Sequence, residues 1–183
     1  MRIFTMIAMV ALFASPVMAQ AEETPSIADF DFLVGDWEGD SIFYYPREKG
    51  RMQAHEKTKT SCVYILENTY IQCDASWTRD DGRERMLRMH LNYNKLDEGY
   101  QILYIYANWP RNVSYLMHYD ETEKAFIGMS DYELSDGTRG TERVLWRPSS
   151  DGTEVYSAEF NNLETEADDI WLKSFDFTWR KVE

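Results

Sequence analysis

Runs of about ten residues, alternating apolar and polar positions, are separated along the chain by short turn-forming clusters. These clusters fall at Glu48–Gly50, Glu67–Asn68, Asp80–Gly82, Asp97–Gly99, Trp109–Asn112, Asp120–Glu123, Asp136–Gly137, Ser149–Gly152 and Asn161–Asp169. The runs are rich in Tyr, Trp, Val, Ile and Thr and show no sustained helical period, which predicts strands joined by tight hairpins. About ten antiparallel strands in sequence form a meander, and a sheet of that size tends to curl and close. The predicted fold is all-β, an up-and-down antiparallel β-barrel of about ten strands with a short N-terminal lead-in. Phe30-Asp31-Phe32-Leu33-Val34-Gly35-Asp36-Trp37-Glu38-Gly39 supplies that lead-in, a glycine-mediated turn and a Trp entering the first strand.

Hairpin symmetry carries one face from strand to strand. A two-residue turn at Glu67-Asn68 sets Cys62 opposite Cys73, close enough for a disulfide in a non-hydrogen-bonded pair. The face of Cys73 also holds Ile71, Ala75 and Trp77. It continues through Leu87, Met89, Leu91 and Tyr93, then Tyr100, Ile102, Tyr104 and Tyr106. Val113, Tyr115, Met117 and Tyr119 follow, then Phe126, Gly128, Ser130 and Tyr132. This tyrosine-rich face is the expected interior. A two-residue turn at Asp136-Gly137 would then turn Arg143, Leu145 and Arg147 inward, where Val144 and Trp146 fit better, so a bulge or a reversed face is needed.

Two features extend the picture to location. Met1–Ala19 has one charge, Arg2, an apolar run from Ile3 to Ala14 and small residues before Gln20, the pattern of a cleaved signal peptide. Residues 20–183 then form one mature domain, periplasmic or secreted, in which a disulfide is at home. The formal net charge of −13 becomes −14 without Arg2 and disfavours nucleic acids and anionic lipid surfaces. Membrane insertion is not expected. The strand from Ala54 to Tyr64 carries His55, Lys57 and Lys59 on one side and Glu56, Thr58 and Thr60 on the other, so neither side suits lipid.

Leu33-x-Gly35-x-Trp37-x-Gly39 resembles the strand entry of the calycins, the lipocalins and their relatives, and more closely that of small secreted bacterial lipocalin-like proteins. The resemblance covers about Phe30 to Arg180. It implies that Trp37 closes the barrel floor and that Arg180 lies over it as a lid. Gly35-Asp36-Trp37-Glu38-Gly39 with Tyr45-Pro46 is also similar to haem-binding nitrobindin barrels. Those use an axial His near the C-terminal strands, and no His follows His118 here. No cofactor is expected.

Candidate chemistry is sparse. His55, His90 and His118 do not converge, His90 and His118 both registering opposite Leu103, and no metal is expected. The acidic run Glu164–Asp169 lacks calcium-loop spacing. Trp77, Met89, Tyr93, Tyr104, Tyr106, Tyr115 and Met117 are the candidate ligand-lining set, flat apolar walls with several hydroxyls. The expected function is an exported barrel binding a small hydrophobic or aromatic molecule. The alternatives are an isomerase, cyclase or decarboxylase pairing a Tyr with Arg88 or Arg143 in the same cavity, or an interaction module with a filled barrel.

Overall fold

A computed structural model describes residues 24–44, 53–107, 112–133, 136–163 and 170–182. The expected signal segment, Tyr45-Pro46, residues 109–111 and Glu164–Asp169 lie outside the described residues. Ten antiparallel strands follow one another and close, the first pairing with the last. They are β1 (Gly35–Tyr44), β2 (Gln53–Ile65), β3 (Tyr70–Arg79), β4 (Glu84–Asn94) and β5 (Gly99–Tyr106). β6 (Val113–Asp120), β7 (Ala125–Glu133), β8 (Arg139–Pro148), β9 (Glu154–Leu163) and β10 (Leu172–Lys181) complete the barrel.

A 3-10 helix, Ile27–Leu33, precedes β1 and plugs the lower end. Ser26 and Asp29 cap it reciprocally, which fixes the turn without a long helix to stabilise it. Phe30 and Leu33 are fully buried beneath the strands, Phe30 packing 4.3 Å from Phe126 and 4.9 Å from Tyr100 between ring centroids. Trp37 Nε1 donates to the Leu33 carbonyl at 2.7 Å, tying the first inward side chain of β1 to the plug. Gly35 between them has φ +125°, and a Cβ there would meet Lys181 Cε at 3.2 Å. The Leu-x-Gly-x-Trp spacing is therefore a geometric unit: plug, left-handed turn, floor.

The face predicted as interior is the buried one. Cys62 pairs with Cys73, Ala75 with Leu87, Met89 with Tyr104, Ile102 with Tyr115 and Met117 with Gly128. Cys62 and Cys73 form a disulfide across a Cα separation of 4.1 Å. The loop between them spans Leu66–Thr69, with Leu66, Glu67 and Asn68 all at positive φ, yet it keeps the register expected of a two-residue turn. Closing so short a loop stabilises the fold by about 2–3 kcal/mol in the chain-entropy picture. Replacing both cysteines with Ser is expected to lower the urea midpoint accordingly; an unchanged midpoint would show that the paired strands already restrict the unfolded chain.

At β7–β8 the register differs from that of a two-residue turn. Gly128 lies opposite Val144 and Phe126 opposite Trp146, so Val144 and Trp146 face inward and Arg143 and Leu145 outward. Shifting the pairing by one residue restores the apolar side to the core, because burying Arg143 and Arg147 there would leave charges unpaired.

Candidate ligand site inside the barrel

All ten strands run between a lower end, closed by the 3-10 helix, and an upper end, and the inward residues differ between the two halves. The lower half is apolar: Trp37, Ile71, Leu91, Ile102, Met117, Trp146 and Trp179 are almost completely buried. The upper half contains charge.

β2 sends Glu56, Thr58 and Thr60 inward, and Glu56 is 2% exposed. Arg79, directly opposite in β3, donates from Nε to Glu56 Oε1 at 2.8 Å. Arg85 in β4 donates from Nη2 to Oε2 at 2.5 Å. Its guanidinium lies 5.2 Å from the Trp77 ring centroid, 5.3 Å from Phe43 and 5.6 Å from Phe175. One carboxylate and three aromatic rings thus hold the Arg85 cation.

On β8 and β9, Glu142 and Glu159 also face inward. Glu159 is opposite Val144, and Glu142 is two positions from Val144, so the two carboxylates are diagonal neighbours on one face. Tyr115 donates its hydroxyl to Glu142 Oε2 at 2.6 Å. The Tyr104 ring meets Tyr115 edge-on at 5.6 Å and stacks beside Tyr106 at 6.2 Å. Burial first, then the nearby Glu159 and Glu142 charges, hold the phenols of Tyr104, Tyr106 and Tyr115 far above their ordinary value. They are neutral hydroxyls at any physiological pH.

Glu159 is pushed up to about 8, chiefly by burial and secondarily by Glu142, with Arg85 opposing. Between 4.5 and about 8 the folded protein keeps a proton that the unfolded chain has released. Its contribution to stability is therefore complete below 4.5 and is lost as pH rises through about 8. Glu159→Gln is expected to remove that part of the alkaline fall, seen as convergence of urea midpoints with wild type at low pH and a higher midpoint for the variant at high pH. Parallel curves would assign the fall to other groups.

Among the described residues, seven buried side-chain atoms make no hydrogen bond: Thr58 Oγ1, Thr60 Oγ1, Trp77 Nε1, Arg85 Nε, Trp146 Nε1, Ser157 Oγ and Trp179 Nε1. All belong to inward-facing residues. Each orphaned group costs about 1–3 kcal/mol, so this interior is less well satisfied than a core selected for stability alone.

The candidate lining set divides between the two halves. Trp77, Tyr104, Tyr106 and Tyr115 stand in the upper half with the charges, and Met89 lies at mid-height beside Cys73 and Tyr104. Met117 is fully buried near the floor, and Tyr93 packs against Tyr100 there at 5.2 Å. Arg180 is not the lid. It points outward and pairs with Glu154 at 3.2 Å, while Lys181 Nζ lies 5.4 Å from the Trp37 ring. Trp179 is inward and fully buried, so alternation turns Arg180 out and brings Lys181 back over its partner Trp37. Gly39 sits where β1 and β10 meet, opposite Trp179.

Neither Arg88 nor Arg143 enters the barrel. Arg88 pairs with Asp74 at 2.7 Å on the outside, and Arg143 is the outward neighbour of Val144. Among the described residues the interior cations are Arg79 and Arg85. Both were legible in parity, Arg79 two residues beyond Trp77 and Arg85 two before Leu87. His90 lies opposite Leu103, but His118 lies opposite Ile127, and Leu103 faces Ser114. Among the described residues no three His, Cys, Asp or Glu side chains group as metal ligands.

Compared with known proteins, the chain matches no protein-family model and no curated sequence.

Proposed function

We propose that this protein is an exported, lipocalin-like barrel that holds a small molecule with an apolar or aromatic body in the upper half of its interior. One observation carries the reading. Tyr106 and Glu159 lie opposite the inward residues Leu87 and Val144, yet both retain accessible surface. Inward groups that keep accessible surface support a space inside the barrel over a completely packed core. The rings of Tyr104, Tyr115 and Trp77 share the same inner face, which gives the mixture of flat apolar wall and a few polar groups that ligand sites use. The calycin resemblance supports the same reading, through the Trp37 floor under the Leu33-x-Gly35-x-Trp37 turn. The expected export signal supports a location outside the cytoplasm.

Glu159 favours a second reading, proton transfer on the bound molecule. A carboxyl group near neutrality suits a general acid or base, whereas the strongly raised phenols do not. Arg85 would then stabilise developing negative charge in place of Arg88 or Arg143.

Native mass spectrometry of the mature protein purified from its own host tests the container. The expected result is a small-molecule adduct that is lost on denaturation. Protein that carries no adduct and also fails to bind aromatic probes added at millimolar concentration would overturn it.

A further inference from the structure

We propose that the barrel holds its cargo by a neutral carbonyl oxygen, set against a line of hydrogen-bond donors that runs from Arg85 through Trp77 and Thr58 to Trp179. The inference rests on the container reading and names the group by which the ligand is recognised.

The line follows the pairing of the strands. Arg85 in β4 lies opposite Trp77 in β3, and Trp77 lies opposite Thr58 in β2. Thr58 lies opposite Gly39 in β1, and Gly39 opposite Trp179 in β10. Directly opposed side chains on one face are nearest neighbours, and Gly39 puts no side chain between Thr58 and Trp179. Among the described residues, four of the seven buried atoms without a hydrogen bond belong to this line: Arg85 Nε, Trp77 Nε1, Thr58 Oγ1 and Trp179 Nε1. The others lie off it. Thr60 is two positions from Thr58, and Ser157 is paired with Trp146, whose indole has the Tyr104 hydroxyl in reach.

The donors define the chemistry of the partner. An indole N–H and a guanidinium Nε–H can only donate, so nothing but an acceptor satisfies them. Bulk water does not serve, because all four atoms are shut off from solvent, in residues as buried as Thr58, Trp77 and Trp179. Val at position 58 would occupy nearly the same volume with no hydroxyl to satisfy, so packing gives no reason for Thr there. Two indoles and a hydroxyl are neutral donors, and Glu56 already engages the one cation, at 2.5 Å. A neutral oxygen therefore fits the line better than a carboxylate. The way in is at Arg85. Its side chain keeps 31% of its surface exposed while its guanidinium covers the Trp77 ring at 5.2 Å, so a ligand that displaces it uncovers the indole.

The test is calorimetric titration of the full mature chain with acetophenone, ethylbenzene and benzoate at neutral pH. These probes share a ring and bear, in turn, a neutral acceptor, no acceptor and an anionic acceptor. Acetophenone is expected to bind roughly tenfold or more tightly than ethylbenzene, although water expels the hydrocarbon more readily, and more tightly than benzoate. Thr58→Val keeps the shape of the side chain and should reduce the ratio of acetophenone to ethylbenzene affinity by roughly threefold or more. Trp77→Phe, as the second variant, should lower it in the same direction. Equal or tighter binding of ethylbenzene or benzoate overturns the carbonyl assignment and leaves the container standing. A ratio unchanged in both variants overturns the assignment to this line of donors. If none of the three probes binds at millimolar concentration, the carbonyl assignment falls, and the container falls with it for molecules of this size.

Discussion

Glu56→Ala is expected to destabilise the barrel by about 3 kcal/mol, among the largest effects of any single substitution here. Glu56 is wholly buried, and its two oxygens separately accept from Arg79 and Arg85. Truncation leaves two guanidiniums in the barrel wall with no carboxylate between them. Arg79 and Arg85 keep 18% and 31% of their side-chain surface exposed, so water recovers part of the loss and holds the cost near the lower end for a broken buried pair. Among the described residues Arg85 Nε makes no hydrogen bond, so that nitrogen holds no alternative partner in place. Urea denaturation at neutral pH measures the loss. The triple replacement Glu56→Leu, Arg79→Met and Arg85→Met should be milder than Glu56→Ala alone, because it removes the buried charges with their pairing. A loss below about 1 kcal/mol for Glu56→Ala would mean that the guanidiniums reach water freely and that the cluster is not truly interior.

Gly39→Ala is expected to cost about as much, near 3 kcal/mol, for a steric reason. A Cβ at Gly39 would lie 1.9 Å from the Thr178 carbonyl oxygen and 3.0 Å from Trp179 Cα. Both are backbone atoms of β10, so no rotamer change can make room, and the strands at the closing seam must separate. Gly128→Ala is the informative comparison. Its closest obstacle is the Met117 side chain at 2.7 Å, which can move, so its cost should be smaller. Hydrogen exchange on β1 and β10 amides should accelerate in Gly39→Ala before the rest of the barrel responds. Equal protection of all strands would place the strain elsewhere.

Much of the architecture is legible in the residues themselves. Hairpin pairing is symmetric about its turn, so Cys62 opposite Cys73 follows from the position of Glu67-Asn68 even though the real loop has four residues. The same bookkeeping reaches Tyr132 on the correct face and stops at β7–β8. There the parity of the connection, not the strand residues, decides which side turns inward, and the buried Val144 and Trp146 show the outcome. The polar part of the site is harder to see. Glu56, Arg79 and Arg85 each sit on a face whose other members are apolar or small, and an apolar face draws attention away from the charges it includes. Arg180 is one residue from the cation that covers Trp37, because the end of β10 carries two basic residues of opposite parity.

The strands, most of their registers, the disulfide and the floor built on Leu33, Gly35 and Trp37 thus follow from the chain's local pattern. They depend on a period of two and on turns a few residues long, both properties of neighbouring residues. Long-range folding settles the rest: that β1 closes on β10, that Gly39 must be small for it to do so, and that Glu56 with its arginines shares an interior with Glu142 and Glu159. Those residues are far apart in the chain and belong to opposite walls. Closure of the sheet brings them together, and burial then gives Glu159 an affinity for its proton that no neighbour in sequence could confer.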